Sequence, residues 1–306
     1  MINILIKESY MTSDMYPNLG LSDIIEMLNK NDCKRLACAS YDLDGVEVLA
    51  DLSYKDDGDF YHNFDIYYGK SSENPLPTVI NVHGGGLVYG TKEICKQACI
   101  YMAKFGFNVA NINYRLLPDV TLKEQIKDVL DGIAYIYENA HKFNLDPDKI
   151  FLASDSAGSF LSLGAYALMN DVNFREIFAI PAKDIRISAM ALISPMIGLL
   201  KSGSLSLINE PARRGLNEKQ IPFTDDILKA LAICPPTIIA TSEEDFIRDQ
   251  ALSVKNFLDE RNIKNIFLDF KKTSDHPLGH GFAITHPDLE ESKTVLRKIG
   301  DFFKKF

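Results

Sequence analysis

The chain has 306 residues, 46% hydrophobic and 25% charged, with a formal net charge of −9. This is the composition of a globular protein with ample material for a core, and one α/β domain of this length is ordinary. The acidic balance argues against a nucleic-acid or anionic-membrane surface, and no Lys/Arg-rich tract reverses it locally.

The N-terminus does not read as a signal peptide: the apolar run from Ile2 to Ile6 is broken by Asn3 and followed by Lys7 and Glu8. Nowhere do about 18 apolar residues run together, so no membrane span is predicted. The longest candidate, "ISAMALISPMIGLL" from Ile187, contains Pro195 and Gly198 and reads as a buried strand leading into a loop. Five cysteines, an odd number without a secretory signal, predict reduced thiols in a cytoplasm. Cys95 and Cys99 share a helix face at i, i+4 spacing, but no His or carboxylate cluster completes a ligand set. They, like Cys33 and Cys38, are expected to be buried small hydrophobes.

In chain order, "LSDIIEMLNKNDCKRLACAS" is a helix-like piece ahead of the first expected sheet strand. "FDIYYG" (64–69) alternates like a half-buried strand, and "TVINVHGGG" (78–86) is a strand ending in glycines. "KEICKQACIYMAKFG" places Ile94, Ala98, Tyr101, Met102 and Phe105 at helical spacing, with Gly106 as cap. After the strand "FNVANINY", residues 121–143 carry the apolar stripe of a long amphipathic helix. Then follow strand "KIFLAS" (149–154), a helix from Ala157, strands at 185–194 and 236–241, a helix at 248–261, strand "NIFLDF" (265–270) and a final helix near 289–304. Near-continuous apolar strands separated by helices predict an α/β fold, a mostly parallel sheet covered on both faces. Two regions break the alternation, residues 1–50 and 196–232, the second ending in a short helical stretch, "DILKALAI". Both are expected to form a cap over the carboxyl edge of the sheet, where such sheets bind ligands.

The chemistry centres on "SDSAG", residues 154–158, between a strand and a helix. A nucleophilic serine on so tight a turn needs nearly side-chain-free neighbours two before and two after, here Ser154 and Gly158. Alone, the stretch reads equally as a helix cap. A serine nucleophile needs a base and an acid, which in this fold follow it in the order acid, then base. His280, between two glycines in "SDHPLGHGF", is free to swing toward the sheet edge; His276 is expected to serve its own loop and His286 to be an exposed turn residue. For the acid, "SEEDFIRDQ" offers Glu243, Glu244, Asp245 and Asp249. Asp245, beside an apolar Phe246, can be held and partly buried, Asp249 suits a helix N-terminus, and the glutamates read as solvated charges. "HGGG", His83 to Gly86, lets backbone approach a substrate and aim N–H groups at one oxygen, with His83 bracing the loop.

Taken together, "VINVHGGGLVYGT", "NYRLLPDVTLKEQIKDVLDGIAYI", "LDPDKIFLASDSAGS", "PPTIIATSEEDFIRDQA" and "GHGF" resemble the bacterial hormone-sensitive-lipase-like esterases of the α/β-hydrolase fold, in family order across roughly residues 60–300. The resemblance implies that Ser156 is the nucleophile, Asp245 the acid and His280 the base. It also implies that Gly85, Gly86 and Ala157 supply the oxyanion-hole N–H groups, with His83 and Gly84 in support. Such enzymes hydrolyse short acyl esters with neither metal nor cofactor, carry a cap from the N-terminus and a mid-chain insertion, and suggest a homodimer. Four departures stand out: Ser154 and Ser159 replace glycines at the elbow, Phe246 replaces a proline, and Leu117 and Asp119 stand where Ala and Glu are common. The resulting expectation is a cytoplasmic serine carboxylesterase in one α/β-hydrolase domain spanning 1–306. The alternatives are an amidase, deacetylase or small-peptide hydrolase using the same residues, or a ligand-binding protein on a hydrolase scaffold.

Overall fold

A computed structural model describes residues 20–69, 75–181, 183–199 and 204–306. Residues 1–19 and 200–203, parts of the two expected cap segments, lie outside the described residues.

Eight strands form one sheet: β1 (Glu47–Ser53), β2 (Asn63–Tyr68), β3 (Leu76–Val82), β4 (Asn108–Ile112), β5 (Leu145–Asp155), β6 (Ala189–Ile193), β7 (Thr237–Ser242) and β8 (Asn265–Phe270). Their order is β1-β2-β4-β3-β5-β6-β7-β8, antiparallel between β1, β2 and β4 and parallel from β4 to β8. Successive side chains of a strand point to opposite faces, and both faces here are apolar. Ile80, Leu152, Leu192 and Ile239 enter one core, whereas Val79, Phe151, Ala191 and Ile238 enter the other. This two-sided burial explains why the parallel strands read as unbroken apolar runs; β2, expected to be half-buried, is instead buried from Asn63 to Tyr67.

The helices are α1 (Leu21–Ala37), α2 (Lys96–Lys104), α3 (Leu122–Glu138), α4 (Ser156–Asn170), α5 (Val172–Phe178), α6 (Asn209–Arg213), α7 (Ile221–Asp225), α8 (Arg248–Glu260), α9 (Phe282–Thr285) and α10 (Glu290–Phe303). At the start of α3, Thr121 and Glu124 form a reciprocal cap: the Glu124 N–H donates to the Thr121 hydroxyl at 3.3 Å, and the Thr121 N–H to the Glu124 carboxylate at 2.7 Å. The expected stripe Leu122, Ile126, Val129, Leu130, Ile133 and Ile136 is buried along it. The predicted helix over "KEICKQACIYMAKFG" is in two parts. Lys92–Cys95 is a 3₁₀ turn tied down by the Lys92 N–H to Asn113 at 2.6 Å, and α2 continues from it.

Strand β1 is not among the strands that the periodicity predicts, and it overlaps the end of the 1–50 segment. It is a mostly exposed edge strand with a bulge between Leu49 and Leu52, so it has no apolar run to reveal it. β6 is shorter than predicted, beginning at Ala189. "DILKALAI" holds only a 3₁₀ turn, Ile227–Ala230, opened by Asp226, whose carboxylate accepts the Leu228 N–H at 3.0 Å. Cys95 and Cys99 are buried under α2, but Cys33 and Cys38 are exposed, contrary to expectation, and Cys234 is half-buried. The reason is that α1 lies at the surface with Ile24 as its one buried residue, leaving Cys33 beside solvent.

Candidate active site

β5 delivers Ser156 to the carboxyl edge of the sheet, and α4 begins at that residue. Its φ of 47° is left-handed, a conformation costing a non-glycine residue on the order of 1 kcal/mol. The reversal presses α4 against β3: a Cβ on Gly158 would come well under 3 Å from the carbonyl oxygens of Val82 and His83. Glycine is therefore required there. Ser154 is buried within β5, in register with Val82 and Leu192.

His280 and Asp245 converge on Ser156 from the loops after β8 and β7. His280 Nε2 lies 2.7 Å from Ser156 Oγ, and His280 Nδ1 lies 2.8 Å from Asp245 Oδ1. The Asp245 side chain is fully buried and also accepts from the Thr241 hydroxyl at 3.0 Å and the Ile247 N–H at 3.1 Å. Burial alone would push its carboxyl up, but His280, Ser194 and the Ile247 N–H pull it down to about 2. Burial likewise pulls the His280 imidazole down, and the facing carboxylates of Asp245 and Asp155 outweigh this, so its pKa is raised above the ordinary 6.5. Phe246 packs on the imidazole with ring centres 4.6 Å apart.

The loop carrying His280 is held by residues that the sequence left as solvated charges. Glu244 accepts the Leu278 N–H at 2.8 Å, and Glu243 accepts the Lys272 N–H at 3.0 Å. Their fixed distance from the strand end was legible; their partners, 29 to 34 residues away, were not. The His276 side chain, expected to serve its own loop, pairs instead with Glu291 of α10 at 3.2 Å. His286 is not exposed: it is half-buried, and burial pushes its imidazole down to about 4. Asp249 lies in the first turn of α8.

On the other side of Ser156 runs the glycine loop. The buried His83 stacks on Tyr114 at 4.4 Å, and its Nδ1 lies 2.7 Å from the Gly84 carbonyl, donating to it. Burial lowers its pKa to about 4, so it is neutral near pH 7. Tyr114 donates to the His83 carbonyl at 2.8 Å. Gly85, at φ 116°, closes a turn in which its carbonyl accepts the N–H groups of Val88 and Tyr89, both at 3.1 Å. Gly85, Gly86 and Ser156 line one cavity, with Ala157 buried directly behind Ser156. As a first-turn residue of α4, Ala157 has no intrahelical acceptor for its N–H.

Asp155, which the sequence did not single out, anchors this loop. Its carboxylate accepts the Gly84 N–H at 3.0 Å and the Cys95 thiol at 3.4 Å, and burial raises its pKa to about 6. The cavity above Ser156 measures about 130 Å³. Its walls are mainly apolar, with Met196, Leu199 and Ile208 from the mid-chain insertion and Leu28 from α1. Asp32 and Arg35 of α1, paired at 2.9 Å, also line it. Among the described residues, no group of three or more His, Cys, Asp or Glu could hold a metal ion. No helix among them is long and apolar enough to cross a membrane.

This sheet order, with a strand-to-helix serine and a histidine and aspartate on later loops, defines the class: an α/β-hydrolase. The chain belongs to the BD-FAE family, whose model matches residues 64–249. The versiconal hemiacetal acetate esterase of Dothistroma septosporum is 36% identical over 259 residues, 76% of this chain and 74% of that protein. Among solved structures, esterase B from Lactobacillus rhamnosis superposes with a TM-score of 0.85 at 22% identity, covering 93% of each chain. The hyperthermophilic esterase from Pyrobaculum calidifontis gives a TM-score of 0.73 at 22% identity over 99% of this chain and 95% of its own. Like these relatives, the protein is a carboxylic ester hydrolase.

Proposed function

We propose that the protein is a serine esterase that hydrolyses short-chain acyl esters through an acyl-enzyme intermediate. The observation that carries this reading is the continuous hydrogen-bond chain Ser156–His280–Asp245, at 2.7 and 2.8 Å. His280 Nε2 takes the Ser156 proton as Oγ attacks the ester carbonyl, forming a tetrahedral oxyanion. Asp245 holds the Nδ1–H tautomer and stabilises the imidazolium. The N–H groups of Gly85, Gly86 and Ala157 receive the oxyanion, with Gly84 and His83 fixing the loop that presents the first two. The carbon–oxygen bond to the alcohol then breaks as His280 returns the proton to the leaving oxygen. A water, deprotonated by His280, hydrolyses the acyl-serine, releasing the carboxylic acid and restoring Ser156.

The mainly apolar walls of the cavity above Ser156 suit a hydrocarbon acyl chain, which supports an ester as substrate. The described parts of segments 1–50 and 196–232 supply much of its wall, which supports their reading as a cap. Exposed free thiols at Cys33 and Cys38 suit a reducing compartment such as the cytoplasm.

The test is Ser156→Ala with p-nitrophenyl esters of increasing acyl length. The variant is expected to lose roughly 10⁴- to 10⁶-fold in kcat, and the wild type to favour the short esters and to take a fluorophosphonate label on Ser156. Wild-type hydrolysis of p-nitrophenyl acetate by the variant refutes the reading.

A further inference from the structure

The segment leaving β6 meets both the Ser156 backbone and the loop that carries His280. The Met196 N–H donates to the Ser156 carbonyl at 3.1 Å. Ser194, the first residue beyond the strand, is fully buried, and its hydroxyl accepts the Gly281 N–H at 3.0 Å. The same side chain lies beside the Asp245 carboxylate and helps to lower its pKa. A serine hydroxyl has one proton to give and lone pairs to accept with. Here it accepts from the residue that directly follows the base, which leaves its one proton free for the neighbouring acid.

The backbone at Ser194 is strained in the same way as at the nucleophile. Its φ is 46°, and its N–H is fixed to the Ala240 carbonyl at 2.7 Å. A side chain in this region costs about 1 kcal/mol or more, which glycine would avoid. β5 and β6 pair side by side as far as Asp155 and Ile193, so two neighbouring strands each end in a left-handed serine. One is Ser156. The other places its hydroxyl where the loops bearing Asp245 and His280 meet.

We propose that Ser194 is a positioning residue for ester hydrolysis, its hydroxyl fixing the Asp245 carboxylate and tying it to the His280 loop through Gly281. The proposal rests on the reading of Ser156, His280 and Asp245 given above. The charged groups facing His280 are Asp245 and Asp155. Ser194 acts on the first of them. With its donor removed, the Asp245 carboxylate is shared less and holds the imidazolium proton more tightly. The acid limb of activity then moves to higher pH.

Ser194→Gly removes the hydroxyl while suiting the backbone, and Ser194→Cys keeps a weak donor. Fluorophosphonate labelling of Ser156, taken to completion, counts competent sites, so misfolded protein drops out of the comparison. For p-nitrophenyl acetate, Ser194→Gly is expected to lower kcat per labelled site about 10- to 100-fold, with KM changing less than about twofold. The acid limb of its kcat/KM profile should shift upward, and Ser194→Cys should fall between it and wild type. Unchanged kcat and an unmoved acid limb in Ser194→Gly, beside an inactive Ser156→Ala, overturn this proposal alone. A fully active Ser156→Ala overturns the underlying reading and this proposal with it.

Discussion

The hydroxyl of Ser154 donates to the hydroxyl of Ser159 at 3.2 Å, joining the end of β5 to the first turn of α4 across the elbow. These are the two positions where the chain departs from the glycines of the esterases it resembles. Ser154 is in regular strand register, so its side chain occupies space without distorting Ser156. Ser154→Gly is therefore expected to leave kcat within about threefold of wild type, whereas relief of a strained elbow would raise it well beyond that. Ser154→Ala strands a buried hydroxyl on Ser159 and is expected to cost about 1 kcal/mol of stability in urea unfolding. Adding Ser159→Ala should cost less than the sum of the single changes, by roughly 0.5–1 kcal/mol.

The other side of the elbow has no such tolerance. A methyl group on Gly158 meets two backbone carbonyls, Val82 and His83, and neither can rotate away. Gly158→Ala must push α4 off β3, with an expected loss of about 2–4 kcal/mol. Chemical denaturation measures this directly. Because His83 opens the glycine loop, kcat per folded molecule should fall as well.

What the sequence disclosed follows from how local each signal is. The parallel strands were legible because burial on both faces leaves them apolar throughout, as in β3 through Val79, Ile80 and Val82. Edge strand β1 was hidden because only Val48 and Leu52 are partly covered and Asp51, at φ 56°, interrupts it. Ser156, Asp245 and His280, which the structure brings within 2.7 and 2.8 Å of one another, could be singled out because each stands at a fixed distance past a strand in a known order. Ser194, Asp155 and Glu244 were not. Their roles depend on partners 87, 71 and 34 residues away, contacts that no local pattern encodes. Exposure of Cys33 and burial of His286 escaped for the same reason, since both depend on what packs beside them.

Asp155 gives a prediction with two readouts. Burial raises its pKa to about 6, so the folded protein binds that proton more tightly than the unfolded chain does. Stability from this group is therefore greatest at low pH and falls as pH rises from about 4 to about 6. Asp155→Asn lacks this loss while its carboxamide oxygen can still accept the Gly84 N–H. Above pH 7 the variant is expected to be more stable than wild type by about 2–3 kcal/mol in denaturant unfolding. The Asp155 charge also helps raise the His280 pKa, so the acid limb of kcat/KM should move to lower pH. A limb that stayed put would mean that His280 does not sense this carboxylate.

Asp245 tests the other half of that balance. Its pKa is depressed to about 2, so it stabilises the fold above its ordinary value of 3.8, and that contribution is lost as pH falls from there through about 2. His280, raised above 6.5, contributes fully below that value and loses its contribution as pH rises through its folded pKa. The proposed mechanism needs the neutral imidazole, so the wild-type acid limb is expected above pH 6.5. Asp245→Asn removes the partner that chiefly holds the proton on His280 and no longer enforces the Nδ1–H tautomer. Its kcat is expected to drop roughly 10³- to 10⁴-fold, and its residual acid limb to lie below that of wild type. Titrating the His280 ring by NMR in both proteins separates the two effects. If the imidazole pKa is the same in both, the 2.8 Å contact between His280 and Asp245 is not an ion pair in the working enzyme.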